Sequence, residues 1–243
     1  MAKKFDTSKI IEPIMRFVNM KGVIALKDGM LAILPLTVIG SVFLIIGQIP
    51  SEAINTAIAG VFGKSWTEPF MQVHAGTFAI MGLIAYFSIG YAYAKNESIE
   101  PLPSGVLSVA AFFITLRSSF TTPDGETVDA LARVWFGGQG IVGAIIIGLS
   151  VGAIYSFFIK NNIVIKMPKQ VPDAISKQFA AMIPAFAIFL LSMIVYIVAK
   201  AAYGGTFIEW IYSVIQVPLQ GLSDTLPGVI GIAFFISFIW WFG

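Results

Sequence analysis

Side chains able to do chemistry are few in this sequence. It holds no cysteine and one histidine, His74. That removes thiolate nucleophiles, sulfur-ligated zinc or iron–sulfur centres, and any Ser-His-Asp or multi-histidine constellation. No cofactor and no metal site is implied. What remains is a set of small clusters. Gly137-Gly138-Gln139-Gly140 places three glycines around a glutamine at the start of an apolar run. Backbone groups left free there suit a ligand, and close helix packing is the competing reading. The cluster is no dinucleotide motif, because no strand precedes it. Trp240-Trp241 suits either an interfacial aromatic belt or a platform for the apolar face of a sugar ring. His74 suits a hydrogen-bonded interfacial side chain or a proton switch. Glu97 and Glu100 flank apolar runs and read as interfacial. No charged group lies deep in a run, which argues against a proton-coupled carrier made from this chain alone.

The elements that must hold these groups are membrane helices. Of 243 residues, 57% are hydrophobic and 12% charged, about half the charge of an ordinary soluble domain. A soluble globule is thereby excluded, and a net charge of +2 offers nucleic acid nothing to bind. Cutting the chain at its charges leaves six runs: Gly29–Ile49, Pro69–Ala94, Pro101–Leu116, Val134–Ile159, Gln178–Ala199 and Thr225–Gly243. A span needs roughly 20 apolar residues, and only the third run, with 16, is clearly short. Continuous apolarity reads as helix rather than barrel strand. The fold class expected is an all-α integral membrane protein with about six transmembrane helices.

Orientation follows from the cations. With the N-terminus cytoplasmic, 11 lysines and arginines lie inside and 4 outside, while acidic residues split 6 to 7. This is a positive-inside bias and not a net-charge effect. Ahead of the first run, Ile10, Ile14, Phe17 and Val18 share a helical face, an amphipathic helix for the headgroup layer unless Pro13 breaks it. Between the fourth and fifth runs, Pro168 and Pro172 forbid a continuous helix, and a short new helix starts at Pro172-Asp173, forming a basic cytoplasmic elbow. Residues 117–133 contain TTPDG, a turn signal. Trp210–Ser223, uncharged but only 14 residues long, suits an interfacial or re-entrant segment. Gly148 and Gly152 have the spacing that lets a neighbouring helix approach closely.

The stretch Ile165-Lys166-Met167-Pro168 through Val171-Pro172-Asp173-Ala174-Ile175-Ser176-Lys177-Gln178-Phe179-Ala180-Ala181-Met182-Ile183-Pro184, with the terminal FISFIWWFG, resembles the IIC permease component of the sugar phosphotransferase system, in its lactose, cellobiose and chitobiose branch. The resemblance runs along the entire chain but covers about the N-terminal half of a family member. It implies a multi-pass protein of the bacterial plasma membrane that translocates a disaccharide while a cytoplasmic IIB protein phosphorylates it. It implies a homodimer, with residues 1–205 as a five-helix scaffold and dimerisation domain and residues 206–243 as the start of a truncated sugar-binding domain. Trp240 and Gly138 carry over as sugar contacts. The family's key histidine and glutamate fall beyond Gly243, so the chain alone is expected to be inactive. The alternatives are a complete transporter of another family and a membrane dimerisation module without transport activity.

Overall fold

The computed structural model describes residues 8–168 and 170–241. It is mostly helical: α1 (Ser8–Val18), α2 (Lys21–Leu31), α3 (Leu34–Gly47), α4 (Glu52–Phe62), α5 (Glu68–Gly76), α6 (Met81–Asn96), α7 (Leu102–Ile114), α8 (Ile141–Lys160), α9 (Asp173–Ala180), α10 (Met182–Tyr203), α11 (Phe207–Ile211), α12 (Val217–Ser223) and α13 (Leu226–Trp241). A small hairpin, β1 (Ser119–Thr121) with β2 (Thr127–Asp129), adds the only strands among the described residues. Its turn is the TTPDG signal: Gly125 takes φ +83° and its N–H donates to the Thr122 carbonyl at 2.9 Å.

By length and composition, four stretches are able to cross a membrane: Lys21–Gly47, Glu68–Asn96, Gly138–Lys160 and Asp173–Tyr203. A fifth would join Phe207–Gly221 to Leu226–Ser237, which meet at a 103° bend. Two differences from the six expected runs have physical causes. The first span begins at Lys21, because Lys27 and Asp28 lie within α2 and Asp28 accepts a hydrogen bond from Asn96 Nδ2 at 2.9 Å. The run at 101–116 folds as the 13-residue α7, about 20 Å long, short of the roughly 30 Å hydrocarbon layer. It nonetheless belongs to the core, where Leu107, Ala111 and Phe112 are buried. Among the N-terminal residues Pro13 lies inside α1 and does not end it; the side chains of Ile10 and Ile14 lie outside those described.

α6 is the hub, packed by α2, α7 and α8. Glycines on two neighbours admit it. A Cβ on Gly29 of α2 would stand 2.7 Å from Ile89 Cα, and one on Gly148 of α8 would stand 2.9 Å from Ile89 Cβ. Ile89 is thus held between two bare backbones, and the Gly148–Gly152 face is filled within the chain by Ile89 and Tyr93. Tyr86 stacks on Phe112 with ring centroids 4.0 Å apart in the middle of the core. Ser104 Oγ donates to the Gly90 carbonyl at 2.7 Å, fastening α7 to α6.

Ion pairs fix one end of the bundle. The Glu97 side chain, 7% exposed, accepts from Lys21 Nζ at 2.7 Å and from Lys160 Nζ, tying the starts or ends of α2, α6 and α8 together. These two hydrogen bonds, Lys160 first, hold its carboxyl below the ordinary value of 4.5. Glu100 pairs with Lys177 of α9 at 3.1 Å, so the elbow is docked onto the same end. α8 stops at Lys160, before Asn162 takes a left-handed φ of +56°, and α9 starts directly after Pro172, whose backbone is extended (ψ 141°), so no continuous helix runs through the prolines.

Candidate functional site

At the opposite end of the bundle, four interruptions of regular helix meet. α5 ends at Gly76, Thr77 takes φ −126° and ψ −86°, and a single 3₁₀ turn (Phe78–Ile80) leads into α6. Two further 3₁₀ turns, Arg133–Phe136 and Gly138–Gly140, precede α8. A π-helical turn, Tyr212–Gln216, joins α11 to α12 and touches the Gly138–Gly140 turn. Such turns release backbone groups from the i to i−4 ladder, and in membrane proteins irregular backbone of this kind survives where it faces protein or a polar cavity.

The glycines of the cluster divide by role. A Cβ on Gly140 would land on the Trp135 carbonyl oxygen and stand 2.9 Å from the Trp135 carbonyl carbon. One on Gly82, at the start of α6, would strike the carbonyl oxygens of Gly137 and Phe136. One on Gly137 would stand 3.1 Å from the Ala79 carbonyl oxygen. Those three are bare because backbone crosses backbone. Gly138 is different: it is exposed, and the nearest atom to its Cβ would be the flexible tip of Met81, at 3.1 Å. Packing therefore explains the flanking glycines and leaves Gly138 facing an open hollow of about 440 Å³, shared with His74, Phe78, Arg133 and Gln139. Gly140→Ala is accordingly expected to lower stability by about 1–3 kcal/mol, whereas Gly138→Ala stays within about 0.5 kcal/mol; thermal melts of the two purified variants distinguish them.

Polar groups around this hollow are incompletely matched. Arg133 Nη2 donates to the Ala75 carbonyl at 2.7 Å, capping the last turn of α5. His74 stacks on Phe78 with centroids 5.3 Å apart, and its buried Nδ1 has no hydrogen-bond partner among the described residues. The break after Gly76 sets the ring against Phe78. In the neighbouring π turn, Gln216 Oε1 is likewise buried without a partner, while Tyr212 meets Trp135 edge-on at 5.5 Å. Buried polar atoms in this state are uncommon in folded proteins and mark places where a ligand or water completes the set. His74 is thus a member of the site that sequence reasoning did not assign to it, whereas Gln216 lies in the adjoining π turn and does not line the hollow. The π turn is the sole local signal for Gln216, and composition does not reveal it.

Trp240 belongs to a different element from those that line this hollow. Its backbone lies in the last turn of α13, and its side chain lies outside those described. Among the described residues only α12 packs extensively on α13, and Leu226, Ile230, Phe234 and Phe235 are exposed along it. No cluster of three or more metal-ligating side chains occurs among the described residues.

This architecture has known counterparts. Residues 27–243 match the family model described as phosphotransferase system, EIIC. The chain is 35% identical over 213 residues to the lichenan permease IIC component of Bacillus subtilis, covering 85% of this chain and 46% of that protein. It is 30% identical over 222 residues to the cellobiose-specific EIIC component of Geobacillus stearothermophilus, covering 89% and 49%. Against the crystal structure of ChbC, the IIC component from the N,N′-diacetylchitobiose-specific phosphotransferase system, the TM-score is 0.84 at 29% identity, covering 92% of this chain and 54% of that one. The chain spans about half the length of the curated relatives it matches. The chain belongs to the EIIC family of the phosphotransferase system.

Proposed function

We propose that these 243 residues act as the N-terminal membrane half of a permease that carries a cellobiose-, chitobiose- or lactose-type disaccharide across the bacterial plasma membrane as a cytoplasmic IIB protein phosphorylates it. On this reading residues 1–205 are the scaffold of a homodimer and residues 206–243 open the sugar-binding domain. Gly138 and Trp240 contact sugar, and the N-terminus is cytoplasmic. The observation that carries the reading is Gly138 itself. It is an exposed glycine that no packing demands, sharing a hollow with His74, whose buried Nδ1 is unpartnered among the described residues, in a fold whose relatives are named for lichenan and cellobiose. A backbone stripped of a side chain lets a hydroxyl-rich ring come close enough for hydrogen bonds.

The partner and the orientation have separate support. One relative, from Lacticaseibacillus casei, is a lactose-specific EIICB component, 30% identical over 238 residues, whose name joins a C and a B component in one chain. The end of the bundle bearing Lys21, Lys160 and Lys177 gathers the lysines, which the positive-inside rule places in the cytoplasm. The hollow beside Gly138 then opens outward, where sugar arrives.

The test joins this chain to the downstream half of the Geobacillus cellobiose permease and measures phosphorylation of labelled cellobiose by phosphorylated IIB in proteoliposomes. The chimera should yield cellobiose phosphate and the 243-residue chain alone none. Gly138→Leu in the chimera should lower the rate at least about tenfold, the loss of one good polar contact. Product from the chain alone, or an inserted chimera with none, contradicts the reading.

A further inference from the structure

On the same side as the Gly138 hollow, but separate from it, lies a second and more enclosed hollow of about 300 Å³. It is lined by Arg117, Ser119, Tyr196, Lys200, Gly204, Gly205 and Thr206. Three elements bring these residues together. Arg117 follows the end of α7, Ser119 opens β1, and Lys200 sits in the last turn of α10. Gly204, in the left-handed conformation at φ +74°, turns the chain back so that Thr206 caps α11 beside them.

The charges in this hollow do not cancel. Glu209 is the acidic group paired here, and its Oε2 already accepts from the Thr206 N–H at 2.7 Å in a capping box. The same oxygen lies 3.6 Å from Arg117 Nη2, too long for a good hydrogen bond. Among the described residues most of the N–H groups of the guanidinium fork are therefore uncommitted, its carbon lying 5.8 Å from the Phe120 ring centre. Lys200 makes no ion pair among the described residues; its ammonium lies 5.9 Å from the Tyr196 ring centre. Two cations thus face one carboxylate that is otherwise engaged, with the Ser119 hydroxyl alongside. Cations are scarce at this end of the chain, and two of them converge here. Tyr196 lines the hollow near the end of a spanning helix, and Tyr203 lies against Gly205 beside it, the level at which aromatic side chains sit against headgroups.

We propose that this hollow binds a phosphate group, and that its occupant is the phosphodiester headgroup of an anionic membrane lipid. A phosphodiester offers two unsubstituted oxygens for the Arg117 fork and the Lys200 ammonium, and its ester chains run back along α10 into hydrocarbon. The site is independent of sugar transport and of the Gly138 hollow.

Native mass spectrometry of the purified 243-residue chain in neutral detergent, titrated with phosphatidylglycerol or phosphatidylcholine, reads the site directly. The wild-type chain should retain one phosphatidylglycerol about fivefold more tightly than Lys200→Gln and about thirtyfold more tightly than the R117Q/K200Q pair. Phosphatidylcholine has the same phosphodiester, but its choline cation offsets the charge and is repelled by the two cations, so it should bind more weakly and separate the three by less than about twofold. Lys200→Gln breaks no ion pair among the described residues, so it keeps the test decisive should the double variant fold poorly. Equal retention of phosphatidylglycerol by wild type and variants overturns the site. Inorganic phosphate that displaces the lipid at equal concentration overturns the lipid as its occupant.

Discussion

Replacing Gly152 with leucine is expected to force α8 away from α6 and to lower the thermal midpoint by roughly 5–10 °C, the consequence of about 2–3 kcal/mol of overpacking. A Cβ at this position would stand 2.5 Å from Tyr93 Cβ and 2.8 Å from Tyr93 Cγ. Those atoms are the root of the tyrosine and not its mobile tip, so a rotamer change does not relieve the clash, and the helices must separate. One turn earlier, Gly148 stands against Ile89, which is itself braced by Gly29 on the far side. Displacement at α8 is thereby passed through α6 to α2. Gly60→Ala supplies the control, since nothing lies within 4 Å of its Cβ. There alanine should hold or raise the midpoint through helix propensity, worth up to about 1 kcal/mol. Scanning fluorimetry in detergent, with both variants beside the wild type, checks the pair.

The second large effect concerns Glu97. Removing its carboxylate by Glu97→Ala is expected to lower stability by about 2 kcal/mol, toward the lower part of the range for hydrogen bonds to charged groups. The range is discounted because the Lys21 and Lys160 side chains remain 69% and 46% exposed and return to water easily. Three helix ends lose their common anchor in this variant. The pH dependence has a definite sign. Because the folded carboxyl is held below its ordinary value of 4.5, its contribution is complete above that value and disappears as pH falls through the lower folded value. The wild type should therefore lose stability on acidification below about pH 4.5, and Glu97→Gln should flatten that part of the curve. Lys177→Ala, which breaks the more exposed Glu100 pair, should change stability by less than about 1 kcal/mol.

What the residues reveal unaided follows the range of the forces involved. Burial in lipid acts on every residue of a span, so apolar runs locate the helices. Backbone chemistry acts within a few residues, so Pro172 starts α9 and Gly125 turns the hairpin where the sequence places them. Cutting at charges erred by ignoring partners: Asp28 tolerates its place in α2 because Asn96 reaches it. The Gly148–Gly152 spacing announced a close neighbour but could not say that the neighbour is α6 of the same chain. Gly138 was legible as one member of a glycine cluster. Only the crossing of residues 135–137 over α6 separates it from Gly137 and Gly140, whose bareness packing explains. His74 joins it through the break that follows α5 at Gly76, which depends on tertiary contacts.

On the proposed function, the hollow beside Gly138 lines the sugar's path. The natural absence of cysteine from the chain makes one measurement direct. In a chimera whose downstream half has also been freed of cysteine, Gln139→Cys is reacted with a membrane-impermeant maleimide added outside, with and without cellobiose. Gln139 lines the hollow, so the thiol should label from outside and cellobiose should slow labelling several-fold. A thiol that labels at the same rate with and without sugar, in a chimera that still phosphorylates cellobiose, would contradict the claim.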